Sequence, residues 1–411
     1  MSFDLIVIGG GAAGLFAAVT AAQDGGKVLL LERNQQLGKK LRITGKGRCN
    51  VTNNCASDEV LRNVPRNGRF LYSAVSAFPP ERMMAFLERQ GCPLKTERGN
   101  RVFPESDCSK SVLQALERAL GQAGVSVERG VRVRRILQRE GAVCGVQTET
   151  GQVPGAAVLL ATGGCSYPAT GSTGDGYGMA RALGHCIIEP VGSLVPLETV
   201  DEDCLALQGL SLRNVGVKLL EGEKCVYRDF GELLFTHFGV SGPTVLSASS
   251  HMRAACSYTL VLDLKPALEK EKLEARILRD LEQYRNRSME HAVADLLPRS
   301  LIPVLLRRAG IPLSLQANAL TRQNRRALLE ALKAFSIPIS GKRPVAEAIV
   351  TSGGVMTSEV NPRSMESKLV SGLYFAGEIL DCDAYTGGFN LQIAWSTAYA
   401  AGKAVVQKID K

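Results

Sequence analysis

An apolar strand that runs straight into a spaced glycine turn leaves few folds open to a chain. Here Asp4–Ile8 reads as a strand, and Gly9-Gly10-Gly11-Ala12-Ala13-Gly14 follows at once and fits G-x-G-x-x-G. An Ala-rich helix is predicted over Leu15–Ala22, and a second apolar strand over Val28–Leu31, ending at Glu32. This order is the dinucleotide-binding pattern. Gly9 permits the tight turn, Gly11 lets backbone approach a pyrophosphate, and Gly14 lets the helix pack close to the strand. The helix start, with Ala12 and Ala13, presents free N–H groups and a positive dipole end to phosphate. Glu32 lies 18 positions after Gly14, where an acid accepts a hydrogen bond from a ribose 2′-OH and disfavours a 2′-phosphate. The plainer alternative, a Gly-rich turn between a strand and a core helix, leaves the spacing and the acid unexplained.

Bulk properties narrow the class. A chain of 411 residues buries a large core and suits two or more domains. Met1-Ser2-Phe3-Asp4 has neither a basic start nor a cleavage site, which predicts no signal peptide and a cytoplasmic protein. Glycines interrupt the weakly polar run at 5–22, which argues against a membrane span. The 11 cysteines form no C-x-x-C, and with 4 histidines no metal site is predicted. Cys49 and Cys55 are close enough to suggest a redox pair, the ordinary alternative being reduced cysteines. The net charge of +9 admits an anionic substrate, a nucleotide or nucleic acid, and does not choose among them.

A basic, Gly-punctuated loop follows Glu32 and Arg33, with Lys39, Lys40, Arg42, Lys46 and Arg48 within residues 39–48. Its density of donors favours phosphate or flavin contacts over a merely solvated loop. From GGGAAG and LGKKLRITGKGRCNVTN onward, the chain resembles bacterial FAD-binding flavoproteins that include aminoacetone-oxidase-like and bile-acid-inducible-reductase-like proteins. The resemblance recurs along the whole chain. It implies an α/β fold: a Rossmann-like FAD-binding domain of the glutathione-reductase type with an inserted domain. In the loop it implies cofactor contacts at Arg33, Lys40, Gly45, Arg48, Cys49, Asn50 and Thr52.

Further signatures come in order. Arg101–Glu105 is extended and resembles the family's RVFP segment. Val125–Val127, Val131–Leu137 and Val143–Thr148 read as short strands of a crossover meander, with Val127 toward the adenine end by analogy and Val131 a further cofactor-contact candidate. Ala157–Leu160 enters Ala161-Thr162-Gly163-Gly164, a second flavoprotein signature that favours FAD over NAD as the resident cofactor. The turn-rich stretch from Ser166 to Gly176 includes Gly174, and Asp175 is read as a cap for the helix after it. Leu373–Phe375 enters Gly377-Glu378, with Asp381 beyond, a third signature. Gly387-Gly388-Phe389-Asn390-Leu391-Gln392 opens a last helix, expected to end near Gly402, with its N-terminus toward the flavin pyrimidine. This resembles the family's TGGYN-x-Q-x-A, with Phe389 in place of tyrosine.

The expected domains are 1–190 with 345–411 for FAD, and 191–344 as an inserted substrate domain. The insert divides into a β part at about 191–265 and a helical bundle at about 266–335, with Arg307, Arg308, Arg322, Arg325 and Arg326 on a solvated face. There is no second G-x-G-x-x-G, so NAD(P)H is expected only as a transient donor. His237, in the family-like FTHFGVSGP, with Tyr385 and Tyr167, are the acid/base candidates. Three activities fit. One is NAD(P)H-driven reduction of an activated C=C bond in a steroid- or bile-acid-like small molecule. The second is oxidation of a small amine by oxygen. The third is reduction of a ribosomal RNA uridine, which the basic loop and the net charge would serve.

Overall fold

The computed structural model describes residues 2–253 and 256–409. It divides into two compact units, one of Met1–Ser193 with Val345–Lys411, the other of Leu194–Pro344.

The first unit contains, in chain order, β1 (Phe3–Ile8), α1 (Ala12–Gln23), β2 (Val28–Glu32), α2 (Ser57–Arg62) and α3 (Gly68–Ala77). After these come β3 (Ser126–Arg129), β4 (Val133–Arg139), β5 (Ala142–Thr148), β6 (Gln152–Leu160), α4 (Asp175–Ala182) and β7 (Ile187–Ser193). Beyond the second unit lie β8 (Val350–Val355), β9 (Leu373–Phe375) and α5 (Phe389–Ile409). Strands β3, β2, β1, β6 and β9 pair in parallel in that order. The apolar runs VLLLE and VLL are buried throughout, as parallel strands covered on both faces must be. β4 and β5 form the antiparallel meander, joined to the first half of β6. The segment expected to begin that meander does something else. Val127 pairs with Leu30, so β3 is the parallel edge strand of a crossover through helix Ser109–Gln122.

Two helix ends also differ from expectation. α5 runs through Gly402 to Ile409. A Cβ at Gly402 would stand 2.9 Å from the Ala17 carbonyl oxygen, so this glycine marks close packing of α5 on α1 rather than a terminus. Asp175 does not cap α4; Gly174, at φ +77°, holds the cap position and Asp175 is the first helical residue. Its carboxylate instead accepts from Arg33 (3.1 Å) and Arg132 (2.8 Å).

The second unit is built on a hairpin of Ser211–Glu221 and Lys224–Thr236 within a seven-stranded sheet. Helices Lys270–Gln283, Leu301–Arg308 and Arg322–Lys333 share one core with it, including Leu260, Leu262, Leu273, Leu305, Leu332 and Phe335. After the helices the chain returns to the sheet at Phe335–Ile339. Arg308 is not on a solvated face. Its guanidinium binds Asp201 (2.6 Å) and Asp203 (2.8 Å) and lies 4.0 Å over the Phe335 ring.

Among the described residues no helix is long and apolar enough to cross a membrane. No group of three metal-binding side chains occurs among them either.

Candidate functional site

The glycine turn between β1 and α1 is shaped by contacts that exclude side chains. Gly9 has φ +109°, and a Cβ there would stand 2.5 Å from the Ala161 carbonyl oxygen. At Gly14 a Cβ would stand 1.8 Å from the Gly9 carbonyl oxygen. Gly11 differs, because nothing lies within 4 Å of its Cβ position and it caps α1 without any side-chain hydrogen bond. The first N–H groups of α1, at Ala12 and Ala13, have no partner within the helix, and no side chain stands before them at Gly11, an arrangement that binds anions. Glu32 is buried at the end of β2. Its Oε2 accepts from the Gly10 N–H (2.7 Å) and its Oε1 from the Asn34 N–H (2.8 Å) and amide (2.6 Å). Each oxygen has two lone pairs, so Oε2 keeps one for a further donor. The Val131 N–H bonds the Glu32 carbonyl (3.0 Å), placing Val131 beside the acid. Arg33 donates to Thr173 (2.7 Å) and shares the Asp175 carboxylate with Arg132. Burial works against the Asp175 charge, yet hydrogen bonds from Thr173 and Arg132, with the Arg33 charge, hold it below the usual carboxylate range.

Ala161 continues the sheet by bonding the Ile8 carbonyl (2.9 Å), and the chain then turns at Gly163, φ +72°. Thr162 Oγ1 is buried without a partner and lies against Gly176, whose Cβ position is 2.0 Å from it. Gly164 yields to Thr351, whose Oγ1 would stand 2.3 Å from a Cβ there. That hydroxyl accepts the N–H groups of Cys165 (2.7 Å) and Ser166 (3.1 Å).

The basic loop is less free than its composition suggests. Lys40 Nζ lies 2.6 Å from Glu378 Oε2 and 2.7 Å from Ser166 Oγ. Glu378 Oε1 also accepts from the Thr351 N–H (2.8 Å). Arg48 is held by Glu97 (2.5 Å) and Asp107 (2.5 Å) and lies 4.1 Å over the Phe103 ring. Arg42 Nε, by contrast, is buried with no partner. Gly45 sits at φ +56°, its Cβ position 2.9 Å from the Asn50 N–H nitrogen. With its amide oriented to satisfy both ends, Asn50 donates to the Thr52 carbonyl (3.0 Å) and accepts from the Gly388 N–H (3.0 Å). The surroundings of Cys49 and Cys55 favour ordinary reduced cysteines over a redox pair. Burial pushes the Cys49 thiol up to about 12 and Cys55 to about 11, and they pack in different hydrophobic clusters.

At the start of α5, a Cβ on Gly388 would meet the Thr52 carbonyl at 2.4 Å, and Gly387 has φ +125°. Thr52 donates to Gln392 (2.7 Å), and Gln392 donates to the Phe78 carbonyl (2.9 Å). Asn390 closes the preceding loop by accepting from the Ala384 N–H (2.9 Å). Phe389 is buried among Val60, Leu71 and Ile393, while Leu391 is partly buried against the main core. Gly377 donates to Thr397 (3.0 Å), and its Cβ position lies 2.9 Å from Ala13. Burial raises the Asp381 carboxyl, against a hydrogen bond from Asn67 (2.9 Å).

The acid/base candidates are placed unequally. Tyr385 is partly buried and bonds the Asn63 carbonyl through its N–H (2.9 Å). Tyr167 is 37% exposed, at φ +52°. His237 is exposed at the hairpin turn of the second unit, its ring against Phe238. Residues not singled out in the sequence are Ser166, Thr351, Arg66 and Asp383. The one local sign was Asp383, an acid between the apolar Cys382 and Ala384.

Comparison with known proteins places this geometry. The HI0933-like protein Rossmann domain family matches residues 3–404. A 3-dehydro-bile acid delta(4,6)-reductase of Clostridium scindens is 32% identical over 409 residues, 98% of this chain and 98% of the relative. A ribosomal RNA dihydrouridine synthase of Escherichia coli is 30% identical over 415 residues, again 98% of each. The 3-ketosteroid delta1-dehydrogenase of Sterolibacterium denitrificans shares the fold, with a TM-score of 0.53 at 13% identity, over 99% of this chain and 100% of that one. The empty Cβ position at Gly11 before the first turn of α1 and the spare lone pair of Glu32 fit FAD. The chain belongs to the HI0933-like Rossmann family and is an FAD-dependent oxidoreductase.

Proposed function

We propose that this protein reduces the C=C bond of an α,β-unsaturated ketone in a small, steroid-like molecule, with NAD(P)H as transient electron donor. The observation that carries this reading is likeness to a bile-acid enone reductase over 98% of both chains. Bound FAD supplies storage of two electrons and transfer of hydride. The chain's residues divide the remaining work. Gly9, Gly11, Ala12, Ala13 and Gly14 receive the pyrophosphate, and Glu32 holds the adenosine ribose, flanked by Arg33 and Val131. Ala161, Thr162, Gly163, Gly164 and Gly174 line the dinucleotide. Gly377, Glu378 and Asp381 serve the ribityl side, with Lys40 oriented by Glu378. Gly45, Arg48, Cys49, Asn50 and Thr52 shape the loop over the ring. Gly387, Gly388, Phe389, Asn390, Leu391 and Gln392 bring the positive end of α5 toward the pyrimidine. Tyr385, Tyr167 and His237 are the proposed proton donors, and residues 191–344 select the substrate. The proposed compartment is the cytoplasm.

The test is anaerobic mixing of the flavin-loaded protein with NADH or NADPH, followed at the flavin's visible absorbance. Rapid bleaching, and recovery of colour on adding a 3-oxo-Δ4 steroid, is the expected result. Absence of bleaching with both nucleotides defeats the nicotinamide-driven reading, and peroxide release with a small amine would replace it with the oxidase.

A second reading is favoured by the full-length relative that acts on ribosomal RNA. Here the substrate would be a uridine, and binding of an RNA fragment would weaken steeply with salt. Salt-insensitive activity on a free enone separates the first reading from this one.

A further inference from the structure

The α2–α3 loop carries an arginine that the roles above do not use. Helices α2 and α3 pack through Val60, Val64, Leu71 and Val75 against Cys382, Ala384, Phe389 and Ile393, the segment that leads into α5. Asn67, at φ +57°, donates to the Asp381 carbonyl (2.6 Å) and carboxylate (2.9 Å). Arg66 beside it is therefore pinned over this segment. Its Nη2 bonds Ser352 Oγ and lies 3.7 Å from Asp383 Oδ1. Ser352 follows Thr351, whose N–H meets Glu378.

The pairing is one-sided. Asp383 is 2% exposed; its Oδ2 accepts from Ser193 (2.6 Å), but Oδ1 has no hydrogen bond. The Arg66 side chain is 44% exposed, and its Nε and Nη1 have no hydrogen-bond partner among the described residues. An ion pair serving only stability would close with both carboxylate oxygens engaged, because a buried unpaired acceptor costs free energy. Here the guanidinium is held at one end, and the N–H groups of Nε and Nη1 are left for another acceptor.

We propose that Arg66 is a catalytic residue that donates to the carbonyl oxygen of the enone, with Asp383 and Ser352 as its positioning residues. The proposal rests on the enone reading. Hydride, supplied through the cofactor from NAD(P)H, forms the new C–H bond at the β-carbon. The C=C π pair moves to the α-carbon–carbonyl-carbon bond, and the carbonyl π pair moves onto oxygen. Arg66 stabilises that enolate oxygen with its free N–H groups. The α-carbon then takes a proton from an acid such as Tyr385, and the ketone is restored. The carbonyl is weakly charged at the start and strongly charged in the transition state, so these donors act where charge develops.

The test uses flavin-loaded protein reduced beforehand with dithionite and mixed with 4-androstene-3,17-dione, with reoxidation followed at the flavin absorbance. In Arg66→Gln the reoxidation rate is expected to fall about 100-fold, while flavin content and the rate of reduction by NAD(P)H stay at wild-type values. Arg66→Lys recovers part of the loss. Asp383→Asn lowers the rate less, and the double variant is no slower than Arg66→Gln, because Asp383 acts through Arg66. Reoxidation of Arg66→Gln at the wild-type rate overturns the proposal, as does an equal fall in both half-reactions. If the wild-type protein itself is not reoxidised by the enone, the enone reading fails and Arg66 loses this role with it.

Discussion

The two ends of the dinucleotide site are built in different ways. At the phosphate end, backbone does the shaping. Gly9 and Gly14 sit against carbonyl oxygens that leave no place for a Cβ, Gly11 keeps its Cβ position empty, and the first N–H groups of α1 have no partner within the helix. At the other end, long-range side-chain ties do it. Lys40 reaches Glu378, Thr52 reaches Gln392, and Arg66 reaches Ser352 and Asp383. The first end is specified by residues close in sequence; the second exists only once distant segments have met. The first resists substitution through steric exclusion, the second through the cost of leaving a buried charge unmatched.

The sharpest way to break the comparison is inside the glycine turn itself. Gly14→Ala forces a Cβ into the Gly9 carbonyl, 1.8 Å away, and should cost about 3 kcal/mol or more of stability. Gly11→Ala meets nothing, so the apo-protein should unfold at the wild-type temperature. Its FAD affinity should nevertheless fall at least about tenfold, roughly 1.4 kcal/mol, because the new methyl occupies ligand space. Thermal melts with and without FAD, and flavin-to-protein ratios, separate the two. Equal loss of stability in both variants would mean that the turn has no ligand-facing glycine.

At the side-chain end, Lys40→Met leaves Glu378 with a hydrogen-bond donor missing and its charge unmatched. Both side chains are about one-fifth exposed, at 21% and 20%, so solvent softens the loss to about 2 kcal/mol. Lys40→Met with Glu378→Gln should regain part of it in urea unfolding. Additive losses would show that the two side chains do not act as a pair.

These two ends also explain what was legible in the sequence. The strand, the spaced glycines, Glu32, ATGG and the glycines before α5 are local: each records a backbone that must turn sharply or come close. The partners of Lys40 and Arg66 are not local. Lys40 and Glu378 are 338 positions apart, and Arg66 and Ser352 are 286 apart, so no spacing announces them. The same limit explains Arg48 and Arg308, which read as available cations until Glu97, Asp107, Asp201 and Asp203 fold onto them. Gly402 departs from expectation for the opposite reason. A glycine near a helix end has the look of a terminus, and only the neighbouring α1 reveals it as a contact.

Gly402 therefore gives a smaller test of the backbone rule. Alanine gains about 1 kcal/mol of helix propensity, but its Cβ would stand 2.9 Å from the Ala17 carbonyl oxygen and 2.9 Å from Thr20 Cβ. Overpacking of about 1–3 kcal/mol exceeds the gain, so Gly402→Ala should lose about 1 kcal/mol in urea unfolding. A stabilised variant would show that α1 and α5 separate without cost.

The smallest expected effect is a slope with pH, and it sharpens the side-chain half of the comparison. His185 is buried, with Nδ1 3.0 Å from Glu359 and Nε2 2.8 Å from Ser367 Oγ. That serine oxygen already accepts the N–H groups of Leu369 (3.0 Å) and Val370 (2.9 Å), so its own proton points to Nε2 and the histidine proton sits on Nδ1. This Ser–His–Glu row is a structural clasp rather than a nucleophile, because the hydroxyl is committed on every side. Protonating Nε2 would set two donors against each other. Burial accordingly pushes His185 below its ordinary value, against the upward pull of Glu359. The unfolded chain takes up the proton at about pH 6.5 and the folded chain does not. Stability from this group is therefore complete above that pH and is lost as pH falls through it, until the folded histidine also protonates. His185→Gln keeps a donor and an acceptor but does not titrate. Its urea midpoint should fall less than that of the wild type between about pH 7.5 and 5.5. Parallel curves would show that His185 is no more reluctant to protonate in the fold than in the open chain.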